Sequence, residues 1–120
     1  MVILGTLEST PVEDFECIWK TNFRGPLCMI KNAVPYLRQT KGCIVNVSSV
    51  GSTAVVMDAV PYCTAKAALD HLTRYAALEN APFGVRVNAV NGSVDLENVE
   101  PVLDGSIVRR SCVLRDVEVC

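Results

Sequence analysis

The sequence predicts an α/β fold, ordered helix–strand–helix–strand about a parallel sheet. Two short apolar runs, Cys43–Val47 and Val85–Asn91, read as strands buried on both faces of a sheet. A stretch of helical periodicity precedes the first run, and another lies between the two. Strands joined through a helical crossover pair in parallel.

The composition sets bounds on this reading. The 120 residues leave room for one small domain. Half of them are hydrophobic and the mean hydropathy is +0.30, a core-forming balance. The net charge is −2 and the pI is near 5.3, so there is no basic footprint for nucleic acid. No apolar run approaches the ~20 residues of a spanning helix. The opening "MVILGTLEST" has no basic region and too short an apolar run for a secretory signal, so a cytoplasmic chain with no membrane partner is expected. The six cysteines form no C-x-x-C pair and His71 is the one histidine, so no metal is expected. The thiols are expected to be reduced and buried as small hydrophobes.

The first helix is predicted over residues 11–37. Thr10 suits the N-cap, Pro11 the first turn, and Glu13 a capping box. Phe15, Trp19, Phe23, Leu27, Ile30 and Val34 form its apolar stripe, widened by Ile18 and Met29. Pro26 interrupts it and removes the hydrogen bond that would reach the Asn22 carbonyl. Either the helix is imperfect there, or that carbonyl takes a polar partner such as water. Lys41-Gly42 closes the connection into the first strand, and Ser48, Ser49, Gly51 and Ser52 mark that strand's end. The second helix is predicted over residues 62–80, with Leu69, Leu72, Tyr75, Ala76 and Leu78 on its apolar side and Pro82 and Gly84 at its stop. Beyond Asn91 the periodicity fades; "SIVRR" and "SCVLRDVEV" read weakly as short strands.

Tyr62 and Lys66 carry the chemistry. Four residues apart on a helix, they share a face. A neighbouring ammonium favours phenolate and draws a tyrosine toward proton transfer near neutral pH. The spacing alone fits a surface tyrosine and a solvated lysine equally well. Position adds to it: Ser49 and Asn91-Gly92 stand at the carboxyl ends of the two strands, where open α/β sheets bind ligands. A serine hydroxyl to hold a carbonyl oxygen and a tyrosine to protonate it suit reversible carbonyl reduction, with the hydride supplied by a cofactor.

"IVNVSS", the step from Ser49 to Tyr62, "YCTAK", "GVRVNAVN" and "TNFRGP" together resemble the short-chain dehydrogenase/reductase family, over roughly residues 3–95. The resemblance implies a partial Rossmann-like, doubly wound sheet, with residues 1–95 as its catalytic part and 96–120 as an unmatched tail. It implies NAD or NADP as cofactor and a small alcohol or carbonyl as substrate. Tyr62 is then the general acid/base. Lys66 lowers the pKa of Tyr62 and binds the nicotinamide ribose; Ser49 orients the substrate oxygen. Asn22 holds a relay water through its backbone carbonyl, which agrees with the Pro26 argument. Gly92 and Val94 lie in the stretch that contacts the nicotinamide. The two helices, 11–37 and 62–80, imply homo- or hetero-dimerisation.

The sequence departs from that pattern in three places. It has no glycine-rich T-G-x-x-x-G-x-G turn to cradle a diphosphate. Asn91-Gly92 replaces the usual Pro-Gly, and Leu96 stands where threonine is common. The isolated chain is therefore expected to be inactive and to bind a dinucleotide weakly or not at all. The alternatives are a non-catalytic partner of a full-length relative and a fragment with no function of its own. Among single residues, His71 is expected on the helix surface or partly buried and not as a ligand, Arg74 and Arg86 are expected in solvent, and Ser48 is expected to be structural. Asn46 and Asn88 are expected to satisfy strand-end backbone, and Met57 and Asp58 to line the substrate side.

Overall fold

The structure, a computed structural model, describes residues 1–92. Helix α1 spans Val12–Trp19, α2 Gly25–Thr40, strand β1 Cys43–Ser49, helix α3 Val60–Asn80 and strand β2 Arg86–Gly92. This is the predicted order. The suggested strands in "SIVRR" and "SCVLRDVEV", the tail 96–120 and Val94 lie outside the described residues.

Both helices start differently from the prediction. Pro11 is the N-cap of α1 and makes no side-chain capping bond. Thr10 instead donates its hydroxyl to the Thr6 carbonyl at 2.6 Å, so the capping box does not form. Glu13 and Asp14 occupy the first turn, where their charge complements the positive end of the helix dipole. The proline interruption is resolved by a π-helical turn over Lys20–Arg24, in which Gly25 N–H reaches back five residues to the Lys20 carbonyl. One extra residue in the turn puts Pro26 into the first turn of α2, where a missing N–H costs little. The helical path therefore continues three residues past Leu37, to Thr40, even with Pro35 inside it. It stops at Lys41, whose left-handed backbone turns its N–H onto the Leu37 carbonyl. Helix α3 begins two residues before Tyr62, with Pro61 in its first turn. A short turn over Ala81–Phe83 follows it, and Gly84 at φ 75° supplies the left-handed residue that launches β2.

The strands pair in parallel, with Ile44 opposite Val87, Asn46 opposite Ala89, Ser48 opposite Asn91 and Ser49 opposite Gly92. Side chains alternate across the sheet. Ile44 and Val87 face α2 and α3 and form a small core with Ile30, Val34, Leu72 and Ala76. Val45 and Val47 point the other way and remain 58% and 59% exposed. The expectation of strands buried on both faces is thus corrected: among the described residues both helices that pack on the sheet take the same face. At the far end Arg38 ties α2 to α3, donating to Asn80 at 2.8 Å and lying 3.9 Å from the Phe83 ring centroid.

The apolar stripe is narrower than predicted. Ile18 and Ile30 are its buried members, while Trp19 and Met29 are exposed, as are Tyr75 and Leu78 on α3. The four described cysteines also depart from the expected burial, and Cys112 and Cys120 lie outside the described residues. Cys17, Cys28 and Cys43 are free but exposed and Cys63 is half-buried, because three of them lie on helix surfaces or on the open side of β1. His71 is exposed and packs edge-on to Tyr75, and Arg74 and Arg86 are exposed as expected.

Leu69 is fully enclosed while Leu78 stands in solvent. Leu69→Ala is expected to destabilise the chain by about 2–5 kcal/mol in urea unfolding. Leu78→Ala is expected to change stability by less than about 0.5 kcal/mol.

Candidate active site

Ser49 ends β1, and Lys66, with the Tyr62 ring beside its ammonium, reaches the Val47 carbonyl near that end of the strand. Tyr62 and Lys66 occupy successive turns at the start of α3. Lys66 is buried, and its Nζ donates to the main-chain carbonyl of Val47 at 2.7 Å. The same ammonium lies 5.6 Å from the centroid of the Tyr62 ring, within reach of the ring's negative face. An ammonium has three donors, so a bond to one carbonyl fixes its position without exhausting it.

Ser49 lies two residues beyond Val47, at the last position of β1, and is buried. Its Oγ accepts from Gly51 N–H at 3.2 Å. That bond uses a lone pair and leaves the hydroxyl proton to be donated elsewhere. Gly51 joins this turn to α3: a Cβ there would meet Cys63 Sγ at 2.9 Å and Ser49 Oγ at 3.6 Å. Only a glycine lets the turn approach the helix so closely, one residue from Tyr62.

Asn22 lies buried in the π-turn, which packs against α3. Its side-chain amide donates to the carbonyls of Ile18 at 3.2 Å and Met1 at 3.1 Å. The side chain is thereby committed to its own helix and to the N-terminal segment. That segment is itself pinned, through Gly5, to Asp58 ahead of α3. Gly92 is buried at the end of β2, opposite Ser49 in register. Val94, the other residue expected near a nicotinamide, lies outside the described residues. Met57 and Asp58 are exposed in the loop before α3.

Sequence reasoning missed a second polar cluster under α3. Asp70 is buried and accepts from the Ser52 hydroxyl and, at 3.4 Å, from the Asn91 amide. One turn further on, Asn46 Nδ2 donates to Thr73 Oγ1 at 2.8 Å, so Asn46 serves a helix side chain and not the strand-end backbone. Ser48 is buried, as a structural residue should be, although its Oγ has no protein partner. The signal was present: Lys66, Asp70, Thr73 and Asn80 follow steps of four, three and seven, a polar stripe on the sheet-facing side of α3.

A sequence profile described as enoyl-(acyl carrier protein) reductase matches residues 3–102. The chain belongs to the short-chain dehydrogenase/reductase family. It is 37% identical over 97 residues to the meso-2,3-butanediol dehydrogenase of Serratia marcescens, covering 81% of this chain and 39% of that protein. It is 34% identical over 88 residues to the L-fucose dehydrogenase of Oryctolagus cuniculus, covering 73% of this chain and 31% of that protein. Among solved structures it resembles ElxO with NADP bound, at a TM-score of 0.76 and 30% identity over 78% of this chain and 39% of that one. It also resembles an NAD+-bound xylitol dehydrogenase, at a TM-score of 0.74 and 28% identity over 77% of this chain and 36% of that one. These neighbours place the described residues in a partial Rossmann-like α/β fold, as expected. The chain spans 31–39% of the length of the two curated relatives. Among the described residues no helix is long and apolar enough to cross a membrane.

Gly51→Ala is expected to cost about 1–3 kcal/mol through the clash with Cys63. Removing the sulfur in Gly51→Ala/Cys63→Ala is expected to recover most of that loss, read from thermal unfolding of the four chains of the cycle.

Proposed function

We propose that these residues form the proton-handling half of an NAD(P)-dependent oxidoreductase that interconverts a small alcohol and a carbonyl. The observation that carries the reading is the buried Lys66 ammonium, fixed on the Val47 carbonyl beside the Tyr62 ring. A fixed cation next to a phenol favours phenolate and suits the phenol to proton exchange at neutral pH. Tyr62 then gives a proton to the substrate oxygen in reduction and takes it back in oxidation. Ser49, whose Oγ already accepts from Gly51 N–H, donates its proton to the same oxygen. Asn22 contributes its backbone carbonyl, through a water, to proton exchange with solvent.

The nicotinamide cofactor, when bound, supplies or accepts the hydride. The residues at the strand ends fit one part of it. Lys66 and Tyr62 suit the ribose hydroxyls, and buried Gly92 leaves room for close approach beside Ser49. The 120 residues contain no glycine-rich turn for the diphosphate. We therefore infer that the chain by itself binds a dinucleotide weakly and turns over little substrate. The relatives' names point to small polyols and sugars as the substrate class.

Steady-state assays with NADH and NADPH against small diols and sugars test the reading in the protein that contains these residues. Tyr62→Phe is expected to lower kcat by at least about 100-fold, and Ser49→Ala and Lys66→Met to lower it as well. Turnover unchanged in Tyr62→Phe would overturn it.

A second reading draws on the exposed apolar side chains of the two long helical segments. Trp19, Met29, Tyr36, Tyr75 and Leu78 all reach solvent, more apolar surface than isolated helices of a monomer usually leave open. Here the chain pairs, through helices 11–37 and 62–80, with a second copy or a full-length relative. Sedimentation analysis is expected to show a dimer that Trp19→Glu weakens; a monomer at all concentrations, with no full-length relative co-purifying, would rule this reading out.

A further inference from the structure

Lys66 and Asp70 are the buried charged side chains among the described residues, each 8% exposed. They have opposite signs. They stand four residues apart on α3, so they share its sheet-facing side, with Cβ atoms about 5–6 Å apart. A buried charge is costly unless an opposite charge or several hydrogen bonds compensate it. Asp70 is anchored for this purpose from two other elements. The Ser52 hydroxyl donates to Oδ2 from the turn after β1, and the Asn91 amide donates to the same oxygen from β2. Its other oxygen, Oδ1, is buried and has no hydrogen-bond partner in the protein.

We infer that Asp70 is the buried counter-charge that keeps the Lys66 ammonium protonated, a positioning residue held in place by Ser52 and Asn91. The inference takes its catalytic meaning from the function proposed above; the charge pairing itself does not depend on that function. Among the described residues no other ionisable side chain that carries a full charge at neutral pH is buried with the pair. Tyr62 is the further titratable group on Lys66's own face. Strand β1 and the following turn bring the neutral Ser48, Ser49 and Ser52, and β2 brings Asn91. On the elements packed against α3, Glu13, Glu16, Lys20, Arg24 and Lys31 are exposed, and Asp14 of α1 and Arg38 of α2 are half-buried. The π-turn's buried residue is the neutral Asn22.

The test is an NMR titration of the Lys66 side chain in the full chain, which needs neither cofactor nor turnover. Asp70→Asn keeps the shape and removes the charge. It is expected to lower the Lys66 midpoint by about one pH unit, a tenfold change in the charged fraction at a given pH. Asp70→Glu, which keeps the charge, is expected to restore most of the parental midpoint. A midpoint unmoved in Asp70→Asn would overturn the inference, because a merely structural role leaves the lysine's titration unchanged. Folding gives a second readout through Lys66→Met, Asp70→Asn and the double variant. The double variant is expected to be more stable than the sum of the single losses predicts. If a single variant fails to fold, a folded double variant supports the pairing and an unfolded one overturns it. Failure of the functional reading shows separately, as turnover that survives Tyr62→Phe, with the Lys66 titration still readable.

Discussion

The hydrogen bond from Lys66 to the Val47 carbonyl is the contact from which the geometry of the site follows. An ammonium taken out of water needs strong acceptors, and a main-chain carbonyl at a strand end is one that a helix packed on the sheet can reach. The bond sets the height of α3 along β1. Tyr62, one turn nearer the helix start, has its ring centroid 5.6 Å from the same ammonium. Ser49, two residues past Val47, ends β1 opposite Gly92. The turn that follows comes close against α3 because Gly51 has no side chain. Helix, strand and turn are thus referenced to one carbonyl oxygen, and a shift of α3 by a single turn, about 5.4 Å, would separate all three groups.

The same constraint explains why the underside of α3 is polar. A helix covering a parallel sheet is expected to present apolar residues to it, and Ala65, Leu69 and Ala76 do so. Between them runs the line Lys66, Asp70, Thr73 and Asn80, met by Val47, Ser52 and Asn91, Asn46, and Arg38 respectively. Hydrogen bonds tolerate little displacement, whereas apolar side chains slide more readily. The polar line therefore fixes the axial register of α3, and the apolar residues beside it supply the burial. The site needs register more than it needs additional hydrophobic area.

The element order, the strand ends and the Tyr62–Lys66 pair were legible because each rests on local chemistry: period, turn residues and one-turn spacing. The π-turn was half legible. Pro26 announced a defect, but nothing local in the sequence says whether a helix kinks or takes in one extra residue. The capping box failed because Thr6 and Ser9, outside the box, offered Thr10 a competing turn. Cysteine burial and the two-sided burial of β1 could not be read at all. Both depend on which elements cover which face, and an apolar run looks the same with one face covered or two. The Asp70 network was written in the sequence, but only a polar line read along the buried side of the helix discloses it.

A carbonyl–alcohol interconversion moves a proton and a hydride, and the two demands differ physically. The proton requires a few groups at fixed height, which one helix and one strand end can supply. The hydride requires a whole dinucleotide to be gripped, and its charged diphosphate calls for a glycine-rich turn at a helix N-terminus. The function proposed above assigns the first demand to local elements of these 120 residues, whose sequence contains no glycine-rich turn for the second. The open face of β1, where Val45 and Val47 reach solvent, adds to the imbalance, since parallel sheets are covered on both faces. Ser49, Tyr62 and Lys66 nonetheless hold together, because the bonds around them run between α3, the turn after β1 and the two strand ends. Chemistry that depends on register is thereby kept apart from chemistry that depends on coverage.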